Sequence, residues 1–156
     1  MRTRLPLLLI AALAVSVGLR AADNPTIGTW KLNLAKSKYD QGPPDRSSTS
    51  KFEPSGTNGV KTTVDNVDGQ GNRIHYEYTA NYDGKEYPVA GSASFDSVSL
   101  RRTDPNTTIS VWKKGSTVVR MLRSVVSKDG KTRTIEGVGI NAQGQAYHNV
   151  TFYDNQ

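Results

Sequence analysis

Glycine-bearing turn signals break this chain at short and nearly even intervals: Pro54-Ser55-Gly56, Asp68-Gly69, Asp83-Gly84, Gly91, Asp104-Pro105-Asn106, Lys114-Gly115, Asp129-Gly130 and Gln143-Gly144. Glycine supplies the positive φ of a tight hairpin, and an Asp or Asn beside it bonds the local backbone. The segments between carry Thr, Val, Ile and Tyr, which suit a pleated surface. About ten strands are predicted, over 27–34, 48–53, 59–67, 73–81, 85–89, 96–103, 107–113, 117–126, 131–139 and 146–153. Alternation is cleanest from Arg73 to Thr79, with Ile74, Tyr76 and Tyr78 on one face and Arg73, His75 and Glu77 on the other. The run Val118 to Arg123 places apolar residues on both faces. Residues 35–41 could form a turn or two of helix, which Gly42-Pro43-Pro44 would stop.

Consecutive antiparallel strands with no covering helix would expose two raw edges, and closing the sheet on itself removes both. The short turns favour an up-and-down meander over a Greek key. The predicted fold is all-β: an antiparallel meander β-barrel of about eight to ten strands, whose lumen holds side chains or one small ligand. It forms one domain over residues 23–156. Only 24 of the 134 residues after position 22 are Leu, Ile, Val or Phe. That is too few for a lipid-facing band on every strand, and it implies a polar, wet lumen.

Residues 1–22 read as a secretory signal peptide. Arg2 and Arg4 precede an apolar run from Leu5 to Val17, long enough for a signal but short for a membrane span. Small residues place cleavage between Gly18 and Ala22, and the expected location is the bacterial periplasm or the medium. An uncleaved membrane anchor is the alternative. Losing Arg2, Arg4 and Arg20 with the leader lowers the formal charge from +6 to +3. The remaining Lys and Arg are scattered, and Arg101 and Arg102 fall on opposite strand faces. Nucleic-acid binding and membrane insertion after cleavage are not expected. With no Cys and only two His, disulfide scaffolds, thiolate zinc sites and three-histidine metal centres are excluded.

The first strand carries Gly28-Thr29-Trp30-Lys31-Leu32, a Gly-x-Trp opening that resembles the calycins: lipocalins, fatty-acid-binding proteins and avidins. Together with the pattern from Gly28 to Tyr39 and the turn Tyr82-Asp83-Gly84-Lys85, the chain is similar to a group of exported bacterial lipocalin-like proteins. The resemblance implies that Trp30 packs across the closed barrel end, which makes Gly28 and Trp30 structural. Two departures qualify it. The segment 35–47 leaves no room for the helical pair that lids a fatty-acid-binding protein. The Arg-x-Tyr that holds a carboxylate there is Thr151-Phe152-Tyr153 here, so Tyr153 matches and the arginine does not. Arg120, Arg123 or Arg133 could supply the cation from a neighbouring strand, although each reads first as a solvated outer-face residue. Avidin-like sites need several Trp, and only Trp112 remains.

Catalytic chemistry is not expected. No Gly-x-Ser-x-Gly elbow is present, and two distant histidines make no Ser-His-acid set. His75 reads as a solvated histidine. His148 shares a face with Val150 and Phe152, a more enclosed setting in which a hydrogen-bonded core histidine is favoured over a haem ligand. No cofactor or metal is expected. The predicted function is an exported carrier of a small apolar or amphipathic ligand, bound by Tyr76, Tyr78, Trp112, Arg120 and Tyr153. The alternative is a protein-binding module resembling periplasmic metalloprotease inhibitors, acting through residues 23–26 as an arm.

Overall fold

A computed structural model describes residues 24–141 and 143–156; the leader read in the sequence lies outside the described residues. The chain forms ten strands in order: β1 (Gly28–Leu32), β2 (Ser47–Ser55), β3 (Gly59–Val67), β4 (Arg73–Asn81), β5 (Asp83–Ala90), β6 (Ser97–Asp104), β7 (Thr107–Lys114), β8 (Thr117–Val126), β9 (Thr132–Ile140) and β10 (Ala146–Asn155). Each pairs antiparallel with its sequence neighbours, and β1 also pairs with β10, so the sheet is a closed up-and-down barrel.

Closure depends on a short strand. Trp30 stands between Ser50 of β2 and Asn155 of β10. Its side chain is fully buried, and its indole N–H donates to the Thr26 carbonyl at 2.8 Å. Gly28 has φ +133°, which an L side chain rarely adopts. Trp30 belongs to a buried cluster that includes Phe52, Val60, Ala80, Val98, Leu100 and Val126.

The outer face of β2 to β4 is charged, with Lys51 paired to Glu53, Lys61 to Glu77 and His75 to Asp65. A lipid-facing band excludes such charges. The alternation expected for β4 holds: Tyr78 is buried while Arg73, His75 and Glu77 are exposed. The two-faced apolar run on β8 resolves into an inward row, Arg120, Leu122 and Ser124, and an outward row that leaves Met121 45% exposed.

Two expectations are corrected. The helical turns proposed for 35–41 shrink to one 3-10 turn, Leu34–Lys36. The segment 33–46 continues beyond β1 along the same edge of β10: Lys38 bridges Val150, the Ser37 hydroxyl accepts from the Phe152 amide, and the Asp40 carboxylate accepts from the His148 amide. The second concerns His148. Tyr147, Asn149, Thr151 and Tyr153 of β10 line the lumen, so His148, Val150 and Phe152 share the outer face. The His148 ring is exposed, 3.0 Å from Glu136, and cannot ligate anything in the lumen.

Candidate functional site in the barrel lumen

Inside the barrel lies a cavity of about 160 Å³, with Phe52, Val60 and Leu100 of the buried cluster in its lining. One wall is aromatic. Tyr76, Tyr78 and Phe95 pack edge-on around Trp112, with ring centroids 5.8, 5.4 and 4.7 Å from it, a geometry that matches ring edges to ring faces. The Trp112 N–H donates to the Ser110 hydroxyl at 2.9 Å. The other wall is polar, with Ser48, Ser50, Thr62, Ser124 and Thr151 facing inward.

Two arginines enter this chamber. Arg133 on β9 is 8% exposed; its Nε donates to the Ser124 hydroxyl at 2.6 Å, and its guanidinium lies 4.5 Å from the Phe52 ring centroid. It sits directly opposite Tyr153 on β10. Burial pulls its pKa below the ordinary arginine value, opposed by the oxygens of Tyr78 and Tyr153, and a guanidinium stays charged regardless. Arg120 on β8 lies over Trp112 and Phe95. Among the described residues, neither arginine forms a salt bridge.

The opposing acid is Asp45, contributed with Tyr39 by the segment 33–46. Burial raises the Asp45 carboxyl above its usual range, aided by the charge of Asp68 and opposed by Asn66 and Arg120. Burial also raises the phenols of Tyr39, Tyr78, Tyr147 and Tyr153. All four tyrosines are therefore neutral donors and acceptors at physiological pH.

Every residue named from sequence as ligand-contacting, Tyr76, Tyr78, Trp112, Arg120 and Tyr153, lines the cavity. Arg123 points to solvent, as read. Arg133 overturns the solvated reading. Parity along β9 held the missed signal: Arg133 shares a face with Ile135, Gly137 and Gly139. Those glycines leave room for inward neighbours, since a Cβ on Gly137 would meet Leu122 Cδ2 at 2.8 Å. Tyr39, Asp45 and Tyr147 were also missed. The first two lie in a segment with no strand periodicity to assign a face. Asn24 and Thr26, part of the proposed inhibitory arm, fold back on the barrel: Asn24 donates to the Tyr82 hydroxyl and Thr26 is buried.

The chain is a closed ten-strand antiparallel meander barrel, opened by Gly28-x-Trp30 and enclosing a mixed aromatic and polar chamber. No protein-family model matches the sequence, and no curated protein matches it significantly. Among solved structures, the chain is similar to one described as EF1p2_mFAP2b bound to DFHBI, at 9% identity and a TM-score of 0.48, covering 87% of this chain and 98% of that one. It is also similar to a redesigned beta barrel, b11L5F_LGL, at 11% identity and a TM-score of 0.44, covering 88% and 96%. A third is the siderocalin Ex-FABP, at 11% identity and a TM-score of 0.39, covering 85% and 71%. These likenesses are distant, and the barrel fold stands on the strand pairing itself.

Proposed function

We propose that the chain is an exported, non-catalytic binding barrel for a small amphipathic molecule. The guest lays an apolar or aromatic body against Tyr76, Tyr78 and Trp112 and turns an acidic or acceptor group toward Arg133 and Tyr153. One observation carries this reading: Arg133 is buried in the lumen with no carboxylate partner among the described residues. A buried charge without a counter-ion costs several kcal/mol, which an apolar filling would avoid. A guest that brings the negative charge offsets that cost. The volume of about 160 Å³ lies below the ~300–1,000 Å³ of drug-sized sites, which favours a compact ring system over a long acyl chain. Export is supported by Arg2, Arg4 and the apolar run from Leu5 to Val17.

The test titrates 8-anilinonaphthalene-1-sulfonate, a compact aromatic anion, and follows dye fluorescence. Saturable one-to-one binding is expected, weakened at least about tenfold by Ser110→Phe, which fills the chamber beside Trp112, and likewise by Arg133→Met. Equal binding by the wild type and Ser110→Phe places the dye outside the lumen and overturns the reading.

A further inference from the structure

Arg133 accounts for one acidic group on the guest and leaves the second cation of the chamber unexplained. Arg120 and Arg133 stand on neighbouring strands at opposite ends of the lumen. Arg133 pairs with Val126, six residues along β8 from Arg120, a run of ~20 Å of strand.

Arg120 is held as a fixed donor. Its guanidinium lies 4.3 Å from the Trp112 centroid and 4.6 Å from that of Phe95. The position opposite it on β9 is Gly139, where a Cβ would meet the Val119 carbonyl oxygen at 2.6 Å and the Tyr147 hydroxyl at 2.8 Å. Only glycine leaves this corner open. Stacking occupies the face of the guanidinium and leaves its edge N–H groups to recognise an acceptor. Two of them, Nε and Nη2, are buried and have no partner among the described residues. The Tyr39 hydroxyl and the Asn66 side-chain oxygen are likewise buried and without a partner among the described residues.

Resting on the lumen reading, we infer that Arg120 is a second anion subsite, so that the barrel takes a molecule with an acidic group at each end of a compact apolar body. The class is a dianion of the aromatic dicarboxylate type. Its body lies along Trp112, Tyr76 and Tyr78, one acid meets Arg133, and the other meets the free edge of Arg120. Asp45 shares the chamber without forming a salt bridge to Arg120. Its carboxyl, raised by burial, yields its negative charge more readily than an exposed one when an anion arrives.

The experiment uses two matched series, on a 2,6-naphthalene and a 4,4′-biphenyl core, each as diacid, acid-carboxamide and dicarboxamide, titrated by calorimetry at pH 7. The members of a series share a shape and differ by one charge at a time. In at least one series the diacid is expected to bind about tenfold more tightly than the acid-carboxamide. Arg120→Gln collapses that ratio to about one, while outward Arg123→Gln keeps it. Arg120→Lys retains the charge but loses the flat stack, and lowers the ratio in part. Thermal melts of the unliganded variants check folding, and Arg120→Gln is expected to melt at or above the wild type because it removes unpartnered buried donors. Equal binding of diacid and acid-carboxamide in both series overturns the second subsite and leaves the lumen reading intact. So does a ratio that survives Arg120→Gln. If no member of either series binds, both fall.

Discussion

Arg133 shows how far one side chain can set the chemistry of a barrel. Its neighbours are a hydroxyl, phenols and a phenyl face, which soften the burial of its charge without neutralising it. Replacing an ion of this kind by an apolar residue of similar length is neutral or stabilising by ~1–4 kcal/mol. Arg133→Met is therefore expected to keep or raise the urea midpoint of the unliganded chain while losing acid binding. An unfolding free energy lowered by several kcal/mol would show that the arginine serves the fold. Asp45 gives the companion case with the sign worked through. Burial raises its folded-state pKa above the ordinary 3.8, so the folded chain binds the proton more tightly than the unfolded one. Its contribution is full below the unfolded pKa and lost as pH rises through the folded one. Asp45→Asn should raise the melting temperature at pH 7, by about 2–5 °C for each kcal/mol relieved, and the gain should vanish near pH 3. A gain equal at both pH values would contradict this account.

At the scale of elements, the barrel is unevenly sewn. β9 and β10 pair through nine consecutive residues, whereas β4 and β5 pair only at Glu77 with Ala90 and Tyr78 with Val89. Amides whose ladder partners are few open more readily. Hydrogen exchange is expected to be faster, by an order of magnitude or more, for β5 amides facing β4 than for those between β9 and β10; uniform protection around the barrel would refute this. The sequence made β4 readable because Ile74, Tyr76 and Tyr78 alternate with charges, and the turns readable because Gly84, Gly115 and Gly130 need positive φ. On β9 the same logic failed, since the inward residue is charged and its same-face neighbours include two glycines. A hydrophobic pattern reports which face is buried only when the buried side chains are apolar. The segment 33–46 was opaque for another reason. It has neither period, and it earns its place through single contacts, at Lys38, Asp40 and Asp45, that no local pattern announces. His148 failed because its apolar neighbours Val150 and Phe152 lie half-buried on the outer face, while the inward face carries Asn149 and Thr151.

At the scale of the whole molecule, closure by a five-residue strand and a plug at Trp30 leaves a chamber whose wall is aromatic on one side and hydroxyl-rich on the other. With 24 of 134 residues drawn from Leu, Ile, Val and Phe, this chain spends polar residues inward, which makes sense for a host and is wasteful for a solid core. Export adds a prediction of its own: intact-mass analysis of the chain from its own host should find the first 18 to 22 residues missing, with a mature formal charge near +3; a full-length chain held in a membrane fraction would favour the anchor instead. The central claim, that the lumen exists to hold a small acidic guest, is tested most directly by native mass spectrometry of that same host-purified protein. The account predicts a one-to-one adduct of a few hundred daltons, in keeping with a compact pocket, released by denaturation and identified as an acid in negative-ion mode. It predicts no such adduct on Arg133→Met prepared the same way. A bare wild-type mass, or an adduct carried equally by Arg133→Met, would contradict it.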